Sequence, residues 1–504
     1  MNKIHSVRRE LCALKLSRIL TRTSVLGAAV LALFAATGCG YGGNTVVHTT
    51  GNYSNASLNG TYVYQIHGQP FSGFYREIGA FTADGAGHIT AGSDDSSVNA
   101  GGLAVSFTGS YQIFNDGTGS ITFNNSGLGG GITLAITLVS SSQIELMEAD
   151  PFAATGEANL QTSTAAPTGT FVFRLHDEAS AQNQNLSASE VGAVSISGTS
   201  VTGGQMDQNL GGTSTVLNLT AGTFSAPGTL GRGTATITDN SPFSTNLIYY
   251  VVSSGRLALL VSNTNAVGAG SAELQTGAVS AGLSGNYAFG SAGDDGVAPG
   301  ATATVGSFTA TSGAINPYTF DSQQDFTSSN GTDSGTYTSA ANGRVAVTLN
   351  SESPEVFWMV SPARAFFLIT DPNRIEDGTA DLQTLNSFSA STMTGQYAML
   401  MGGDDLNVGQ DLTRIGPLNF SGSGKLTLAE LVNASASGQG AQPPQGGGLN
   451  GNYQVDSSTG RITGTLSNSA GGLDLVMYAV SGSDGYVLQP DAQEITSGTV
   501  SLQH

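Results

Sequence analysis

The chain has 504 residues, too many for one hydrophobic core, so several domains are expected. Hydrophobic residues make up 39% and charged ones only 10%, beside 70 glycines, which argues against wholesale disorder and suits short strands joined by tight turns. Beyond residue 38 the chain carries ten basic against 35 acidic side chains, a formal charge of −25 that argues against nucleic acid and anionic lipid head groups as partners of the body.

Residues 1–38 have the make-up of an export signal. A basic region ends at Arg22, and an apolar run follows from Ser24 to Ala36, too short for an ordinary membrane-spanning helix. The run ends Ala36-Thr37-Gly38-Cys39, small residues directly before a cysteine. This resembles a bacterial lipobox, although leucine is commonest where Ala36 stands. The resemblance implies a diacylglycerol on the Cys39 thiol and cleavage just before it. Cys12, the other cysteine, lies inside the leader, so cleavage leaves Cys39 without a disulfide partner. Arg8-Arg9 leaves twin-arginine export open beside the general route. Gly40, with no aspartate after the cysteine, resembles the outer-membrane pattern, so the expected location is the outer membrane or cell surface, anchored by acyl chains. Residues 39–56 are small and polar and read as a flexible tether.

Four copies of one unit follow, over residues 57–162, 167–276, 283–384 and 393–504. Each opens with a glycine two places before an aromatic: Gly60 and Tyr62, Gly169 and Phe171, Gly285 and Tyr287, Gly395 and Tyr397. Each closes alike, through Leu160-Gln161, Leu274-Gln275, Leu382-Gln383 and Leu502-Gln503. Between lie a central Gly-x-aromatic (Gly109, Gly222, Gly335, Gly451) and a late Val-Ser (Val139, Val252, Val360, Val480). Alternating apolar residues and Asp84-Gly85, Asp116-Gly117 and Asn342-Gly343 turns predict hairpin-linked strands, about eight per copy. In the first copy they are expected over 61–67, 75–83, 87–94, 103–114, 118–124, 131–140, 143–149 and 156–162.

The fold class is therefore all-β: four tandem antiparallel units, expected as small up-and-down barrels, with two-sheet sandwiches as the alternative. In a barrel the Leu-Gln strand pairs with the Gly-x-aromatic strand and leaves no edge. Most predicted strands fall short of the 9–11 residues that a bilayer crossing needs. Short joins suggest a string of beads. The repeats resemble those of surface lipoproteins of soil bacteria (LxGxYxF … GxFxxxGxGxI … GxYxxxxxGxG), and the opening strand is similar to those of lipocalin and avidin barrels at pattern level only. That resemblance supplies no ligand residues.

Candidate chemistry is sparse. His67 and His176 share one position in copies one and two and read as solvated strand ends. Asp294-Asp295 and Asp404-Asp405 follow the opening strand in copies three and four, making them weak Ca²⁺ candidates, since two acids fall short of the six to eight oxygens that Ca²⁺ takes. Asp94-Asp95 and Asp177-Glu178 are related acid pairs. Arg232, Arg344 and Arg461 each follow a turn glycine and read as solubilising residues, and Trp358 reads as core packing. No cysteine pair or clustered histidines suggest a metal, and no cofactor is expected. The expected function is a lipid-anchored, non-enzymatic spacer or adhesion array with a protein or glycan partner. The alternatives are small apolar-ligand or glycan binding by the barrels, and a hydrolase of surface polymers.

Overall fold

Each opening glycine has a positive φ (Gly60 133°, Gly169 110°, Gly285 110°, Gly395 112°). A Cβ there would lie 2.8–3.1 Å from a methyl of the closing Leu160, Leu274, Leu382 or Leu502. Any side chain at these positions meets both a strained backbone and a filled site. The first and last landmarks of each copy are thus one contact, and that contact closes the sheet.

The computed structural model describes residues 51–504 except 69–74, 98–103, 126–129, 182–183, 242–243, 264–265, 295–299, 436–437 and 444. The first copy runs β1 (Asn59–Gly68), β2 (Tyr75–Asp84), β3 (His88–Ser96), β4 (Val105–Ile113), β5 (Thr118–Phe123), β6 (Ile132–Ser140), β7 (Gln143–Glu148) and β8 (Ala154–Leu160), within two residues of the predicted strands. Tyr62 pairs with Phe81 on one side and Leu160 on the other, so β1 joins β2 and β8 and the meander closes. The second barrel runs from β9 (Gly169–Ala181) to β16 (Ala266–Leu274), and the third from β17 (Gly285–Asp294) to β24 (Ile375–Leu382). In the fourth, β25 (Thr394–Asp405) pairs with both β26 (Gln410–Ser421) and β33 (Glu494–Leu502). Its third strand is broken into β27 (Lys425–Leu428) and β28 (Leu431–Ala434), both against β26. The sandwich alternative is not what forms.

Inward-facing rings and aliphatics fill each barrel, such as Tyr62, Tyr64, Phe81 and Phe123 in the first. Several strands are longer than expected, β9 reaching 13 residues. Length therefore does not argue against a bilayer crossing. The apolar interiors do, because membrane barrels carry polar ones.

The beads expectation is overturned. The run Leu257–Val261 does not alternate, and β6 and β7 bury both faces. Their outer faces pack on the neighbouring barrel. Val63, Ile78 and Ala80 meet Ile248, Tyr250 and Leu260. Val172, Val191 and Ala193 meet Val356, Trp358 and Phe366. Ala288, Ala303 and Val305 meet Tyr478, Tyr486 and Leu488. The fourth seam returns to the start, with Leu400 and Ile415 against Ala135 and Met147. Residues 45–504 form one unit, a closed ring of four barrels. Burying each large side chain this way contributes about 1.5–3 kcal/mol. Trp358 is fully buried, but in a seam and not inside its own barrel.

Candidate functional site

The closing glutamine makes each seam directional. Gln161 Nε2 donates to Leu230 O and Val251 O, at 3.0 and 2.6 Å. Gln275 does the same to Asn342 O and Met359 O, and Gln383 to Thr459 O and Ala479 O. The next backbone N–H reaches the late valine: Thr162 to Val252 O, Thr276 to Val360 O and Thr384 to Val480 O. In the same way Gln503 binds Asp116 O and Leu138 O, and His504 N–H binds Val139 O. The Leu-Gln and Val-Ser landmarks are therefore two halves of one joint.

The three turn arginines are corrected from solubilising residues to seam residues. Arg232 grips Asp95 through Nε and Nη2 at 2.7 and 2.6 Å, Arg344 grips Asp207 at 2.8 and 2.6 Å, and Arg461 grips Asp321 at 2.6 Å through both. A ring donor completes each carboxylate: Tyr250, Trp358 Nε1 and Tyr478, all at 2.8 Å. Such two-point pairing fixes geometry as well as charge. By register, the fourth seam has Thr118, Thr137 and Leu431 at these places. Asn433 still holds that seam, its Nδ2 donating to Glu148 O, Asp150 O and Phe152 O, as Asn209 donates to Ile369 O, Asp371 O and Arg374 O beside the Arg344–Asp207 pair.

Outward side chains at the far ends of the opening strands converge where the barrels meet. His176 Nδ1 lies 2.8 Å from Asp377 Oδ1, across two barrels, and Ser189 Oγ donates to the same oxygen at 3.0 Å. Arg174 Nε is 3.4 Å from Asp377 Oδ2. Burial opposes ionisation of Asp377, but the His176 hydrogen bond and the Arg174 charge hold it below the usual carboxylate range. His67 lies 3.4 Å from Thr155 Oγ1, and a Cβ on Gly402 of the fourth barrel would lie 2.8 Å from that same oxygen. Protein crowding first, then Arg76 and Arg174, push the His67 imidazole down, although its ring keeps an exposed edge. His176 is thus a packed hydrogen-bond partner of Asp377 rather than a solvated strand end.

The acid pairs fare differently from one another. Asp94, Asp95 and Asp177 are buried strand residues, not solvated turns. Asp294 and Asp404 come from adjacent barrels, and burial followed by the Asp294 charge pushes Asp404 up to about 6. Asp405 Oδ1 accepts the Asn407 N–H at 3.0 Å. Asp295 and Cys39 lie outside the described residues. Among the described residues no group of three or more His, Cys, Asp or Glu could hold a metal ion.

One end of each barrel interior is polar. In the first, Glu77 accepts hydroxyls from Tyr64 at 2.8 Å and from Tyr75. In the third, Glu355 takes Tyr318 at 2.7 Å, and Glu376 takes Arg374 at 2.6 Å. In the fourth, Arg414 sits between Glu430 and Glu494. The second has Glu190, met by Gln208 Nε2 at 2.5 Å. Cavities inside the second and third barrels are about 20 and 10 Å³, room for one or two waters.

No protein-family model matches the chain, and no curated protein does. Among solved structures it is matched to transferrin binding protein B, a vaccine antigen from Haemophilus parasuis crystallised as a double mutant. That match has 11% identity, covers 71% of this chain and 82% of that chain, and has a TM-score of 0.18. At that score the likeness carries no argument.

Proposed function

We propose that the protein is a lipid-anchored, extracytoplasmic interaction platform without enzymatic activity, its ring held near the surface by an acyl group on Cys39. The joint that returns Gln503 to the first barrel carries this reading, because it closes four like modules into one compact body. Tyr53, at the end of the tether, donates to Val139 O and His504 O at that same seam, 3.2 Å each. An anchor upstream would therefore hold the ring by its short-turn end. By strand order the β1–β2, β3–β4, β5–β6 and β7–β8 connections and their counterparts all open at the opposite end. A closed ring gives up the reach of a spacer and keeps the multivalency of an array. The small interior cavities support surface contact with a protein or glycan over carriage of a ligand in every barrel.

The test pairs two measurements on intact cells. Antibody against the barrels should label cells making the native protein, and Cys39→Ser should release it to the medium. The purified ring should then bind surface glycans or matrix proteins with an avidity that separate barrels lack. An unlabelled cell, or equal binding by a single barrel, contradicts the reading.

A further inference from the structure

Inside, the second barrel lacks rings that the first and third carry, as does the fourth, where Leu418 faces Tyr397. In the first barrel Tyr62 stacks on Phe81 at 5.6 Å, and in the third Tyr287 stacks on Phe308 at 5.2 Å. The matching pair in the second is Phe171 and Val194. Phe107 and Phe123 of the first become Leu219 and Ile237. Ile196 and Met206 take back part of the space, yet they are side chains that rotate, and Met adapts to irregular gaps. The cavity that remains is lined by apolar side chains, Phe171, Phe173 and Phe224 among them, and by Glu190, Asp239 and Thr245.

Its polar end is equally distinctive. Asp177 is the next inward residue of β9 after Leu175, where the other barrels have Gly68, Gly293 and Gly403. It is 6% exposed, and its Oδ1 has no hydrogen-bond partner. Glu190, also 6% exposed, has only an amide donor, where Glu376 of the third barrel has an arginine. Arg76 of the first barrel offsets part of the Asp177 charge, yet Asp177 and Glu190 still repel each other, and an incoming cation relieves the cost of burying them.

We propose that the second barrel alone is a binding site for a small organic ammonium ion, its apolar body between Phe171, Phe173 and Val194 and its N–H groups on Glu190 and Asp239, the two acids that line the cavity. Binding turns Met206 and Leu219 aside to widen the cavity. This is independent of the platform reading, which concerns the outer surface.

Benzylamine is the probe, titrated calorimetrically into the full mature protein, with toluene as the headless control. One saturable site per chain is expected for benzylamine and none of comparable affinity for toluene. Glu190→Gln should weaken benzylamine at least tenfold. Val194→Phe, which restores the missing ring, should abolish binding with the strand circular dichroism unchanged. If Val194→Phe does not fold, Glu190→Gln decides alone. Absence of saturable benzylamine binding overturns the proposal, as does affinity indifferent to Glu190→Gln or equalled by toluene.

Discussion

Gln503 Nε2 donates to the carbonyl of Leu138 at 2.6 Å, although 365 residues separate them. The equivalent glutamines join barrels that follow each other in the chain, whereas this one joins the last barrel to the first. Removing its side chain by Gln503→Ala takes away both hydrogen bonds to the first barrel and a third accepted from Gln396 within the fourth. The expected loss is about 1–2 kcal/mol of stability. Urea unfolding of the variant checks it, and an unchanged midpoint would mean that the joint is incidental.

The seams differ in chemistry, which allows a swap. Arg344→Ala leaves Asp207, 5% exposed at its side chain, facing Trp358 without its cation. Because the arginine is partly solvated, the cost falls toward the lower end of the buried-pair range, about 3 kcal/mol. The double variant Arg344→Thr with Asp207→Leu copies two of the three fourth-seam residues, Trp358 remaining where that seam has Thr137, and should lose less than Arg344→Ala alone. A double-mutant cycle in denaturant reads this directly.

Glu148 gives stability a pH dependence of unusual sign. Burial first, then Glu77 and Asp150, push its carboxyl up to about 8 from an ordinary 4.5. Between those values the folded chain holds a proton that the unfolded chain has released. Its contribution to stability therefore falls as pH rises through that window and levels off above it. Glu148→Gln should remove its own share of the fall, since burial holds Glu145 and Glu355 up as well, and make the protein more stable than the parent at pH 8, by an amount of the order of a few kcal/mol. Denaturant curves at pH 5 and pH 8 for both proteins test it.

Labelled palmitate should enter the native protein and not Cys39→Ser, since no other cysteine survives removal of the leader. Incorporation into the variant, or none into the parent, removes the anchor from the account.

The barrels were legible in the sequence because each copy repeats its closing contact, an opening glycine whose missing Cβ makes room for a late leucine. The ring was not legible from single copies. Arg344 and Asp207 are 137 residues apart and lie in different repeats, so neither looks paired within its own unit. Two signals were nevertheless present. The turn arginine is missing only from copy one and its acid only from copy four, as expected of a series of joints running one way. The unbroken apolar run Leu257–Val261 also exceeds what one buried face requires. The second barrel's open interior needed coordinates, because Val194 and Ile237 are ordinary strand residues until their register partners are known.

Spin labels on Ser141→Cys and His504→Cys, in a Cys39→Ser background, measure the joint between the last barrel and the first by double electron–electron resonance. His504 N–H binds Val139 O at 3.0 Å, so a single narrow distribution at the short limit of the method is expected. A broad distribution at long distance would show four barrels strung out in line, and the ring would be wrong.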